Sequence, residues 1–147
     1  MAAGVWTFYN NWKAAIGKAV DLSSDTIKMT LHTSSYTPSA AHSVYADLTN
    51  ELSTANGYTS GGATVANQAY TQNTGTGKFT FDPVVWTASG TGIVARYAVL
   101  RASGTFNTQI GPLIAYCLLD TTPGDVTASN GNTFTVTENA SGTFTLA

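Results

Sequence analysis

Residues 79–119 set the terms for the whole chain. They hold three runs that read as strands, at 79–86, 93–100 and 113–119. In the middle run Ile93, Ala95, Tyr97 and Val99 fall on one side and Val94, Arg96, Ala98 and Leu100 on the other, so both faces are largely apolar. The last run has no polar alternation apart from the Tyr116 hydroxyl and the Cys117 thiol. Strands without a wet side are interior strands, covered twice. The rest of the chain has to supply the second layer.

The flanking segments read as shorter elements. Phe8, Trp12, Ile16 and Val20 recur every four residues with Ala15 and Ala19 beside them, which predicts a short N-terminal helix and makes residues 1–20 a helical arm. Residues 26–32 alternate with Ile27, Met29 and Leu31 inward, a half-exposed strand with His32 on its polar side. Residues 33–39 are loop-like, and Pro38 blocks continuation of a sheet. Val44, Leu48 and Leu52 are again four apart, with Asp47 and Glu51 on an adjacent row, which predicts a second short helix stopped by Asn56-Gly57. A weak strand anchored by Val65 follows. Two alternating strands, at 133–137 and 143–146, close the chain. The tetrapeptide Ala-Ser-Gly-Thr occurs at 88–91, 102–105 and 140–143, with unequal spacing, so it is one turn solution used three times to join strand pairs. Together these elements predict a mainly β fold over residues 1–147 as a single domain. It is a two-layer antiparallel β-sandwich of jelly-roll or Greek-key type, with one short N-terminal and one short internal helix.

Chemistry is harder to find than structure. His32 and His42 are the only histidines; with Asp47 and Glu51 they compose a metal site only on paper, since the spacing fits no ligand pattern, and both read as surface residues. The carboxylates of Asp47 and Glu51 read as a solvated helix face. Residues 57–62 lack the lysine and the strand-to-helix context of a phosphate loop and read as a turn. No Gly-x-Ser-x-Gly elbow occurs. The single Cys117 lies in the most apolar run, where a thiol packs as a small hydrophobe. Arg96 needs a partner if its face is covered, and Asp82 or Asp120 is the expected one. The expectation is therefore no enzyme, no cofactor and no metal.

The surface composition points elsewhere. Charged residues make up 10% of the chain against roughly 25% in an average soluble protein. Threonine occurs 25 times, so hydroxyls and amides carry the solubility. Such a surface loses little charge hydration when another protein covers it. The formal net charge is -2 and the six basic residues form no run, which argues against nucleic acid and against an acidic membrane surface. The N-terminus lacks a basic leader and the longest apolar run is far short of a spanning helix, so synthesis in a cytoplasm is expected. The rings of Trp6, Phe8, Tyr9 and Trp12 crowd the N-terminus. They serve either as an anchor on a partner or, in the preferred reading, as packing on the chain's own domain; with Tyr36 and Tyr58 they are the protein-interface candidates.

Several short motifs carry a resemblance: residues 21–28 (DLSSDTIK), 31–38 (LHTSSYTP), 49–52 (TNEL) followed by 56–62 (NGYTSGG), Phe81-Asp82 with Val85-Trp86, 95–99 (ARYAV) and 112–116 (PLIAY). In this order they resemble small virion proteins of tailed bacteriophages, over most of the chain from about residue 21 onward. Two departures stand out: Cys117-Leu118-Leu119 precede Asp120 where the group turns sooner to an acidic residue and glycine, and Pro83 replaces a small residue. The resemblance implies a non-enzymatic structural component, a capsid cement or decoration protein on the capsid surface, made in the host cytoplasm. Its partners would be the major capsid protein or another virion protein, and copies of itself as a dimer or trimer. The rival is a carbohydrate- or receptor-binding module of a tail or fibre, stacking sugars on Tyr36, Tyr58 or Tyr70.

Overall fold

The structure, a computed structural model, describes residues 3–15, 19–122, 124–138, 142 and 144–146. Its largest sheet has five strands in the order β1 (Trp6–Phe8), β11 (Leu113–Leu118), β8 (Tyr97–Ala102), β2 (Ile27–His32) and β3 (Ala63–Thr64). A second sheet sets β5 (Thr76–Thr80) between β4 (Ala69–Asn73) and β14 (Phe144–Leu146). Three strand pairs complete the described part: β6 (Val84–Thr87) with β13 (Thr133–Val136), β7 (Ile93–Ala95) with β12 (Val126–Ala128), and β9 (Thr105–Phe106) with β10 (Gln109–Ile110). Every pairing among them is antiparallel. The architecture is mainly β, compatible with a sandwich. One continuous apolar core joins the large sheet to Phe79, Val84, Trp86, Ile93, Phe134 and Val136 of the smaller ones and to Phe81 between β5 and β6.

The central block behaves as its apolarity predicts, with one correction. The run 93–100 is two strands, because the chain turns a corner at Arg96. Before the corner it pairs with β12, and after it β8 lies between β2 and β11. Backbone bonds from Arg96 N–H to the His32 carbonyl and from Leu119 N–H to the Arg96 carbonyl pin the bend. A strand that leaves one sheet for another is a usual way to build a sandwich corner. The Arg96 side chain bonds Asp125 at 2.8 Å, rather than Asp82 or Asp120. Asp82 accepts instead from the Asn67 amide, and Asp120 from the Thr122 N–H.

Both predicted helices shrink, for the same reason. At the N-terminus, residues 6–8 form an edge strand with Trp6 opposite Cys117 and Phe8 opposite Ala115, and only α1 (Asn10–Ala15) is helical before residues 16–18, which lie outside the described part. The helical arm expected at 1–20 is thus a strand of the main sheet followed by a six-residue helix. The internal helix is reduced to a 3₁₀ turn, Tyr45–Asp47. Asp47 accepts the N–H groups of Ser43 and Val44, closing that turn on itself, and Leu52 N–H bonds the Leu31 carbonyl, drawing the next residues out alongside β2. An open strand edge offers backbone partners that a short helix of moderate propensity cannot match.

The repeated tetrapeptide does not close hairpins where it is described. Residues 88–91 lead from β6 to β7 and 102–105 from β8 to β9, strands that pair with other partners; the third copy lies mostly outside the described residues. The tight hairpins are β4–β5, whose Thr74-Gly75 turn has φ of 47° and 85°, and β9–β10, whose Asn107-Thr108 turn has φ of 50° and 67°, the backbone sense that matches strand twist.

Candidate functional site

Register sorts the side chains of the large sheet onto two unlike faces, because directly opposed residues point the same way. One face carries Ile27, Met29 and Leu31 from β2, Ala98, Leu100 and Ala102 from β8, Ala115 and Cys117 from β11, and Trp6 and Phe8 from β1. It is apolar throughout. The other carries Lys28, Thr30 and His32, then Tyr97, Val99 and Arg101, then Tyr116. The buried polar or charged residues among those described, Thr30, His32 and Arg101, all sit on this second face. That is where the chain keeps its chemistry.

Residues 33–62, the connection from β2 to β3, cover this polar face. Tyr36 is buried with its ring 4.7 Å from that of His32 and edge-on to Tyr97 at 5.8 Å. Its hydroxyl lies 3.0 Å from that of Tyr9 and 3.2 Å from Nδ1 of His42, so a string of polar atoms runs from the core to a half-buried imidazole. Burial raises the pKa of the Tyr9 and Tyr36 phenols, so both are neutral at ordinary pH. His32 Nδ1 is 2.9 Å from the Thr49 carbonyl, which can only accept, so Nδ1 carries the proton. Its Nε2 then accepts from the Thr30 hydroxyl at 2.9 Å. Desolvation holds the imidazole pKa below its ordinary value.

Glu51 organises the other end of the same connection. Its carboxylate accepts from the hydroxyls of Tyr45 at 2.5 Å and Tyr58 at 2.7 Å, and from the Gly61 N–H at 2.6 Å. Tyr58 in turn accepts the Leu31 N–H, tying the group to β2. Arg101 donates to the Gly61 carbonyl at 2.8 Å and lies 4.1 Å from the centre of the Tyr45 ring. One residue, Gly61, thus meets a carboxylate at its N–H and a guanidinium at its C=O. Gly62 makes the approach possible: its φ is +79°, and a Cβ there would stand 2.1 Å from the Met29 carbonyl oxygen.

The interface candidates turn inward. Trp6, Tyr9, Trp12, Tyr36 and Tyr58 are buried in the chain's own core, and Phe8 packs against it. Five of the six rings are therefore spent inside the fold, because each strand or loop that bears them seats on the large sheet. The stacking platform of the rival reading loses Tyr36 and Tyr58 likewise and keeps only Tyr70. His32, expected at the surface, is fully buried, and Glu51, expected in solvent on a helix, holds three donors. The signal that marks Glu51 is its place between Tyr45 and Tyr58, which neither helical nor strand period explains. Cys117 is buried on the apolar face, and burial pushes its thiol pKa up.

Among the described residues no three His, Cys, Asp or Glu side chains gather as a metal site. No helix there is long and apolar enough to cross a membrane. Among the described residues the large apolar side chains left on the surface are Val5 (90% exposed), Ile110 (72%), Val85 and Val94, with Tyr70 at the margin. Beside Val94 an open depression of about 410 Å³ is lined by Leu52, Ser53, Asn56, Thr91 and Ile93, without a titratable group among these residues. No protein-family model matches the chain, and neither a curated protein nor a solved structure matches it.

Proposed function

We propose that this chain is a structural protein of a bacteriophage virion, a capsid cement or decoration protein that acts without catalysis by binding across capsid subunits. The observation that carries the reading is the character of its outside. Charged residues are 10% of the chain, and Val5, Ile110, Val85 and Val94 stand out from a hydroxyl-rich surface, so covering that surface desolvates little charge. The sequence resemblance to small phage virion proteins points the same way. The inward turn of the Trp6, Tyr9 and Trp12 rings moves the contact surface off the N-terminal aromatics and onto these exposed aliphatics and the surrounding threonines. Copies joined as a dimer or trimer would add modest contacts with the major capsid protein into stable attachment.

Imaging the intact particle is the test. Density for this fold in a fixed ratio to the major capsid protein, over junctions between its subunits, is the expected result. Density confined to a tail or fibre would overturn the capsid assignment in favour of a receptor-binding role, and a particle without the chain would overturn both.

A further inference from the structure

We propose that residues 33–62 form a strap that mild acid releases from the large sheet as a unit, with His32 as its trigger. This stands apart from the virion role, since it concerns only how the chain holds itself together. Connections longer than about 12–15 residues without secondary structure are uncommon in compact domains and usually have work to do. This one contains only the Tyr45–Asp47 turn and the isolated bridges of Val44, Glu51, Ala55 and Tyr58. It contributes two buried rings, Tyr36 and Tyr58, packs Leu48 and Leu52 partly against the core, and is otherwise tied down by hydrogen bonds. Leu52 N–H bonds Leu31 O, Tyr45 N–H bonds Gly111 O and Leu113 N–H bonds Ser43 O, while Thr33 N–H bonds Asn50 O within the strap. A segment that carries two core rings but no ladder of its own opens at lower free energy than the sheet beneath it.

His32 lies under the middle of the strap and binds it directly through Nδ1–H to the Thr49 carbonyl. Around the ring stand Tyr36 and Glu51 from the strap, Tyr97 from β8 and Thr30 from its own strand. Lys28 and Arg101 share the sheet face, and His42, Tyr9 and Tyr116 connect to it through Tyr36. The Arg96 side chain faces away to Asp125. A second proton on the imidazole places a cation in a layer that already holds Arg101, buried and with its Nε unpartnered. Only Glu51 offers a nearby opposite charge, and its oxygens are already taken by Tyr45, Tyr58 and Gly61. Opening the strap returns the ring to water, where it takes the proton at its ordinary value. One proton bound in the open state and absent in the closed one raises the opening constant up to about tenfold per pH unit, beginning below about pH 6.5.

The test is amide exchange of the intact chain between pH 7 and pH 5, corrected for intrinsic exchange rates. Protection at Thr33, Tyr45 and Leu52 should fall by up to about tenfold per unit as pH drops, while amides between β8 and β11 keep theirs. The variant His32→Asn keeps a donor for Thr49 and cannot titrate, so its strap amides should lose the pH dependence; His42→Gln should retain it. Unchanged protection in the wild type, equal loss in strap and sheet, or full pH dependence in His32→Asn would each overturn the proposal. Should His32→Asn fail to fold, His42→Gln decides: a strap that still opens with acid supports His32, and one that no longer does sinks it.

Discussion

The two faces of the large sheet solve one problem in different ways. On the apolar face Ile27, Met29, Leu31, Leu100 and Cys117 exclude water by packing alone, and no hydrogen bond has to form for the layer to close. On the opposite face Thr30, His32, Tyr97 and Arg101 are covered by a connection whose grip comes from Thr49, Glu51, Tyr36 and Tyr58. Apolar packing is non-directional and tolerates volume-conserving change. A hydrogen-bonded cover is directional, and each partner removed leaves a buried group unsatisfied. The lesson is that burial alone does not rank these faces; what does is how each loses its cover.

Breaking the apolar face should have the largest effect. Leu100→Ala removes a fully buried side chain from the middle strand and should cost about 2–5 kcal/mol in denaturant unfolding. A cost below about 1 kcal/mol would show that this face is loosely packed. Breaking the polar face at Glu51→Ala orphans the hydroxyls of Tyr45 and Tyr58 and the Gly61 N–H, and should cost about 1–3 kcal/mol, the half-buried setting letting water repair part of the loss. Its strap amides should lose more protection than the β8–β11 amides. The smallest effect belongs to a probe that changes nothing: Cys117 should resist thiol reagents in the folded protein and react once denaturant is added, because burial keeps the thiol protonated and out of reach. Rapid native labelling would mean that β11 is not covered on that side.

The contrast also explains what could be read ahead of the structure. Strands β8 and β11 were legible because their apolar runs admit few other fates, and Cys117 follows from them. Ile27, Met29 and Leu31 were correctly placed inward by alternation. Lys28, Thr30 and His32 alternate in the same way, yet a polar residue over solvent and one under a polar cover leave an identical trace in sequence. The cover itself tells them apart, through the Tyr36 ring and the Thr49 carbonyl on His32. Phe8 fitted the helical row of Trp12, Ile16 and Val20, but the open edge of β11 takes Trp6 and Phe8 into a strand. The internal helix failed because Val44, Leu48 and Leu52 sit at helical spacing by coincidence, while the Leu52–Leu31 backbone bond commits the segment to β2. Glu51 reads as a solvated carboxylate in the sequence because its partners, Tyr45, Tyr58 and Gly61, come together only when the connection folds back on itself.

The most direct measurement is amide exchange at neutral pH across a series of low denaturant concentrations. If the cover and the sheet are held by different means, the amides of Thr33, Tyr45 and Leu52 will exchange through an opening of lower free energy and weaker denaturant dependence than those joining β8 to β2 and β11. Exchange of both sets through one transition, with the same free energy and the same denaturant slope, would contradict the account.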